Sequence, residues 1–277
     1  MSAIIGRTQE LEVIKIVDFG AYLDGGDTGE ILIPKRYLPQ GCAVGDKVEV
    51  FVYFDSEDRI VATTEKPYAQ VGQFAYLRVA AINPVGVFLD WGLQKDLLVP
   101  FREQQKRMEE GKSYAVYIYV DEETRLIAAS TKLDRYFKPA PADYEPGREV
   151  DLLITSKSDL GFKAIVDGAY SGLLYGNEVF KDLKDGERVK GFVKKVREDG
   201  KMDISLRRPG YGEIEELSEK ILARLEEAGG FIAVTDKSSP QQISDLFGAS
   251  KKSYKKAVGA LYRKRLIIMD EKGIKLV

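Results

Sequence analysis

Residues Val13–Asp24 read Val-Ile-Lys-Ile-Val-Asp-Phe-Gly-Ala-Tyr-Leu-Asp, and a version of this stretch returns twice further along the chain. Each copy is a run of β-branched and apolar residues interrupted by one glycine: Gly20, Gly86 or Gly161. Fourteen residues earlier lies another glycine, Gly6, Gly72 or Gly147, and fourteen later comes Pro34, Pro100 or Tyr175. Eleven further on stands Gly45, Gly111 or Gly186. Four positions recurring three times without a gap describe three copies of one small β unit, followed by something else.

The strands of the first unit follow from alternation and turn residues. Leu11–Val17 alternates, Gly20 interrupts the pattern before Ala21-Tyr22-Leu23, and Asp24-Gly25-Gly26-Asp27 is a turn. Ile31-Leu32-Ile33 is stopped by Pro34, Gly45-Asp46 precedes Lys47–Phe54, and Asp55–Asp58 turns the chain into Arg59–Thr63. A glycine inside a strand marks a bulge, a bend or a close backbone approach. Five short, curved strands are best closed into a barrel, which leaves no exposed edge. The second unit repeats the order with Tyr76–Ile82, Val87–Asp90, Leu97–Val99, Tyr114–Val120 and Leu126–Ser130. The third runs Val150–Thr155, Phe162–Val166, Gly172–Tyr175, Arg188–Val196 and Met202–Leu206, ended by Arg207-Arg208-Pro209-Gly210. Lys132–Pro146 holds three prolines, Pro139, Pro141 and Pro146, and reads as a linker across which few contacts are expected.

Beyond residue 210 the period becomes helical. Ile214, Leu217, Ile221, Leu222 and Leu225 share one side of a helix that Gly229-Gly230 stops. Pro240 opens a second helix, with Ile243, Leu246 and Phe247 inward. Ser250 caps a third, whose wheel gathers Tyr254, Ala257, Val258 and Leu261 on one face and Lys252, Lys255, Lys256 and Arg263 on the other. A strand, a turn at Asp270–Gly273 and a second strand close the chain. Three helices and a hairpin are the winged-helix arrangement, a relative of helix-turn-helix. The expected architecture is therefore mainly β with a C-terminal α+β domain: barrels over 1–66, 67–138 and 139–210, the last including the linker, and a winged helix over 211–277.

The 277 residues are 44% hydrophobic and 31% charged, and no apolar run has the length of a membrane helix. The start of the chain lacks the pattern of a secretion signal, and the single Cys42 forms no internal disulfide, so a reducing, cytoplasmic setting is expected. Histidine is absent, which removes imidazole bases, Ser-His and Cys-His pairs and His-containing metal sites. No phosphate-binding or dinucleotide glycine motif is present, and Ser253 with Lys256 spells S-x-x-K only within a lysine-rich helix. Carboxylate clusters such as Asp121-Glu122-Glu123 read as solvated turns. The expectation is a protein without catalytic site, metal or cofactor.

The net charge of −2 hides local contrast. Residues 1–66 carry 7 basic and 12 acidic residues, a balance of −5, whereas Arg188–Arg208 carries eight basic and three acidic ones. Seven basic residues between Lys251 and Arg265 are unrelieved by any acid. Single-stranded RNA binding requires aromatic faces for bases and cations for phosphates. The candidates are Phe19 and Tyr22 around Gly20, Phe88 with Trp91 nearby, and Arg59 and Arg125 at strand edges. In the third unit they are Lys190, Lys194 and Arg197, with Lys201; on the last helix, Lys252, Lys255, Lys256 and Arg263. Each has a plainer reading: the rings fill barrels and the cations are solvated. Gly259 inside the basic stripe offers either close approach to a sugar–phosphate backbone or a seat for a neighbouring helix.

The β unit resembles the S-one RNA-binding domain, the OB-fold repeat of ribosomal protein S-one. Its pattern is matched in the first unit by Phe19, Gly20, Tyr22, Pro34, Gly45-Asp46, Asp55 and Arg59. In the second unit Val85 replaces the first aromatic, Phe88 keeps the other, and Asp121 with Arg125 fit the late Asp…Arg. In the third, Leu160 and Lys163 take both aromatic positions, and Tyr175, a further candidate, stands where His or Pro is usual. Three such units with a winged helix carrying S-K-K-x-Y-K-K-A-V-G-x-L-Y and G-I-K-L are similar to the conserved virulence factor B family of bacterial RNA-binding regulators. That resemblance implies cytoplasmic RNA binding and post-transcriptional regulation without catalysis. The alternatives are a DNA-binding regulator acting through the winged helix and a ribosome- or nuclease-associated adaptor.

Overall fold

In the first unit β1 (Thr8–Val17), β2 (Gly20–Asp24), β3 (Glu30–Pro34), β4 (Lys47–Phe54) and β5 (Ile60–Thr63) form a closed barrel of order β1-β2-β3-β5-β4. The structure is a computed structural model, and it describes residues 3–277 apart from 142, 180, 209, 210, 236 and 237 and the side chains of 211–213. The expected stop at Pro209-Gly210 thus lies outside the described residues. The second barrel uses β6 (Phe74–Asn83), β7 (Gly86–Asp90), β8 (Leu97–Pro100), β9 (Ser113–Val120) and β10 (Ile127–Ser130). The third uses β11 (Glu149–Ser158), β12 (Gly161–Val166), β13 (Tyr170–Tyr175), β14 (Arg188–Val196) and β15 (Met202–Ser205). Each closes in the same way, with its third and fifth strands parallel.

The spacing of the repeat is the register of these barrels. Gly20 pairs with Pro34, Gly86 with Pro100 and Gly161 with Tyr175 across the second and third strands. A Cβ on Gly20 would stand 2.1 Å from the Ile33 carbonyl oxygen, and Gly86 and Gly161 meet the Val99 and Leu174 carbonyls at 2.6 and 2.0 Å. The glycine that recurs in each repeat therefore marks a close backbone approach. The bulge lies opposite, in the first strand of each barrel, where register shifts between Val13 and Lys15, Val79 and Ala81, and Ile154 and Ser156. A short 3-10 helix after each third strand, at Lys35–Tyr37, Phe101–Glu103 and Gly176–Glu178, fills part of the excursion that sequence alone leaves undefined.

Residues 1–144, 150–190 and 195–204 form one compact unit, and 145–149, 191–194 and 205–277 a second. Within the first, Phe51, Tyr53 and Val61 of the first barrel join Leu77, Leu89 and Trp91 of the second in one core. The Pro-rich stretch departs from the expected separator. Leu133, Tyr136 and Phe137 pack against Phe74, Leu153 and Ile165, with Phe137 stacked on Phe74 at 5.0 Å and Tyr136 on Tyr117 at 4.1 Å. Tyr144 donates to Asp167 at 2.8 Å. Proline count marks where regular structure stops, whereas the interspersed aromatic residues make this segment a packed strap.

The second unit carries α1 (Tyr211–Glu227), α2 (Pro240–Phe247), α3 (Lys251–Arg263) and β17 (Ile267–Met269) with β18 (Ile274–Leu276). A two-residue strand, β16 (Phe231–Ile232), adds to β18 and completes a three-stranded sheet of order β16-β18-β17. Ser239 and Ser250 cap α2 and α3 by accepting from the Gln242 and Ser253 amides, and Gly248 ends α2 in the left-handed region. Ile221, Leu225, Ile243, Tyr254 and Ala257 are at or below 1% exposed in its core. Leu246, expected inward, is 38% exposed. Among the described residues no helix is long and apolar enough to cross a membrane.

Candidate nucleic-acid interface

The bulge in β1 breaks alternation, so that Ile14, Lys15 and Ile16 are all exposed on a hairpin leading to Phe19. Phe19 is 57% exposed, which removes it from the barrel core. Tyr22, half-buried, meets it edge-on at 6.5 Å, and Lys15 Nζ lies 5.8 Å from the Tyr22 ring. An exposed ring, a supporting ring and a cation thus stand together on one surface. The same hairpin ends in exposed Ile82 and Val85 in the second barrel and exposed Leu160 in the third. There Lys163 is exposed, and Lys157 lies over the Phe162 ring at 5.5 Å.

Arg59 is exposed but engaged, with Asp55 at 2.7 Å and Glu57 at 3.0 Å. Burial acts to raise the Asp55 pKa, but hydrogen bonds from Arg59 and Glu57 outweigh it and hold the carboxyl below its ordinary value. The corresponding pair in the second barrel does not form. Arg125 sits at the turn with φ +62° and donates its amide to the Asp121 backbone carbonyl, while Arg102 Nη2 meets the Asp121 carboxylate at 2.7 Å. Arg102 also reaches Glu123 at 3.0 Å. The Asp…Arg pattern fixes the turn, and a cation from the 3-10 helix after β8 wins the carboxylate.

Phe88 is half-buried and lines a cleft, whereas Trp91 is 3% exposed, donates to the Lys95 carbonyl at 2.7 Å and meets Phe51 edge-on at 5.6 Å. Trp91 is core. In the third barrel Lys190 lies 2.8 Å from Asp151, and Tyr175 donates to Asp203 at 3.3 Å. Arg197 Nε sits 3.6 Å from both Asp199 and Asp203 with no hydrogen-bond partner among the described residues. Lys194 is half-buried and Lys201 exposed. These residues form a mixed-charge surface on which exposed ion pairs contribute little and exchange readily.

On α3, Lys252, Lys255, Lys256 and Arg263 are exposed opposite the buried Tyr254, Ala257, Val258 and Leu261. A Cβ built on Gly259 meets nothing within 4 Å, so among the described residues no neighbouring helix claims the gap in the stripe. Arg263 Nε donates to the Gly259 carbonyl at 3.2 Å. Sequence reading passed over Asp96, Arg102 and Phe54, which reach the cleft beside Phe88 from separate elements and share no local pattern.

Residues 5–65 and 71–132 match the family described as S1 domain, and 219–276 match the CvfB-like winged helix domain. The chain is 29% identical to the uncharacterised protein YitL of Bacillus subtilis, over 93% of this chain and 89% of that one. It is 22% identical to conserved virulence factor B of Staphylococcus saprophyticus, over 99% and 94% of the two chains. A solved multidomain protein with nucleic acid binding domains from Streptococcus pneumoniae is 24% identical, covering 99% of this chain and 98% of its own, with a TM-score of 0.43.

Proposed function

Because this chain belongs to the conserved virulence factor B family, we propose that it binds single-stranded RNA in the cytoplasm and regulates gene expression after transcription, without catalysing a reaction. The observation that carries the reading is the exposed Phe19, backed edge-on by Tyr22 beside Lys15, on a matched S1 domain. Base stacking on such a ring contributes roughly 1–3 kcal/mol and tolerates any sequence. Phosphates are then met by the exposed stripe of α3 and by the third barrel's Lys190, Lys194 and Arg197. Arg59, Arg125 and Tyr175 are supporting positions in this reading, whereas Phe88 lines a cleft in which acidic side chains outnumber basic ones and is left out of it. A net charge of −2 is compatible with it, since contacts of this kind are local.

The alternative is DNA binding through the winged helix, favoured by the unbroken basic face of α3. Competition separates the two. A labelled single-stranded RNA bound to the full chain is displaced by unlabelled RNA at lower concentration than by duplex DNA of matching sequence, because unpaired bases offer faces that a duplex conceals. Duplex DNA competing better than RNA would transfer the function to DNA.

A further inference from the structure

Between the first and second barrels, which share one compact unit and one core, lies a cleft of about 390 Å³. Phe54, Phe88 and Leu98 form apolar walls, with Trp91 beneath. Its charged lining is Asp58, Asp96, Asp121 and Glu123 against Lys95 and Arg102, a balance of −2. Both cations are committed: Lys95 Nζ stands 2.8 Å from Asp58, and Arg102 binds Asp121 and Glu123 at 2.7 and 3.0 Å. That accounts for three of the four carboxylates. Asp96 is half-buried, and no hydrogen bond or ion pair reaches its carboxylate among the described residues. Burial, reinforced by the charge of Asp90, pushes its pKa up.

A partly desolvated carboxylate without a donor, beside an aromatic wall, is complementary to a flat cation. A guanidinium meets both demands: it pairs with a carboxylate through two parallel N–H groups, and its weakly hydrated plane stacks on a ring. An anion is excluded by the lining and by the −5 balance of residues 1–66, which form one wall. The same field disfavours a nucleotide, whose base would bring its phosphate along. We propose that this cleft captures an arginine side chain of a protein partner, with the guanidinium paired to Asp96 and stacked on Phe88. The site is independent of RNA binding by the Phe19 surface and α3.

Trp91 is the single tryptophan of the chain and lines the cleft, so its fluorescence reports occupancy. The full chain is titrated with acetyl-Gly-Arg-Gly-amide, with its uncharged citrulline counterpart, and with guanosine. The arginine peptide should give a saturable change, and the citrulline peptide should bind about tenfold more weakly, the effect of losing one charge-assisted contact. Asp96→Asn should weaken the arginine peptide by a similar factor while far-ultraviolet circular dichroism stays unchanged, because the Asp96 carboxylate holds no partner among the described residues. Phe88→Leu, which keeps an apolar wall but removes the ring face, should also weaken it. No saturable change with the arginine peptide, equal binding of citrulline, or full affinity in Asp96→Asn would overturn the proposal. Guanosine binding more tightly than the arginine peptide would overturn it in favour of a nucleobase site.

Discussion

At Gly20 a side-chain-free backbone lets β2 pass close to the Ile33 carbonyl, and this approach sets the hairpin on which Phe19 and Tyr22 stand. The Phe19→Ala, Tyr22→Ala double variant should lose about 2–5 kcal/mol of affinity for single-stranded RNA if both rings meet bases. Equilibrium binding alongside thermal melting checks this. Unchanged affinity, or loss of affinity together with the melting transition, would return the rings to a structural role. Much at this scale was legible: the glycines and Phe19 follow from spacing and from the family pattern. The partner of Asp121 was not, because periodicity fixes backbone register while ion pairs depend on which side chains converge in space. Asp121 also yields a pH prediction. Hydrogen bonds from Thr124 and Arg102 outweigh burial and hold its pKa below the ordinary 3.8. A depressed folded pKa means that its stabilisation is complete above 3.8 and is lost as pH falls through the folded value. Asp121→Asn should therefore be less stable than the parent at neutral pH, and the gap should close in melts taken at progressively lower acid pH. A gap that stays constant would remove the carboxylate from the account.

Among the elements, α3 is where sequence and structure agree in most detail, since a Ser cap, an apolar face and a basic face are all local signals. Each phosphate neutralised on a single strand contributes about −0.7 to the slope of log affinity against log salt concentration. Changing Lys252, Lys255, Lys256 and Arg263 to Ala should thus flatten the slope by about 3 if all four make productive contacts. An identical slope in the parent and the variant would leave the stripe a solvated face. Two features of the same domain escaped local reading. β16 has only two residues, and its pairing with β18 is long-range. Leu246 follows the helical period but belongs to a helix of eight residues, too short to bury a full face, and it stays exposed.

For the molecule as a whole, the strap between the second and third barrels changes what separability means. Stacked Phe74–Phe137 and Tyr117–Tyr136 pairs hold residues that composition marks as a linker. Limited proteolysis of the full chain should accordingly spare the described bonds between Lys132 and Pro141, and a first cut there would restore the picture of independent halves. The repeat made three barrels legible without a structure. The packing of the strap was hidden because prolines and aromatics give opposite signals and only long-range contact decides between them. That contact supports treating the barrels as one scaffold for the proposed RNA surface. The most direct measurement is photocrosslinking of the full chain to a 4-thiouridine-containing single-stranded RNA, with the attached peptides identified by mass spectrometry. The account predicts adducts in the peptide holding Phe19 and Tyr22 and in the peptides of α3. Efficient crosslinking confined to other surfaces, or none at concentrations that saturate binding, would contradict it.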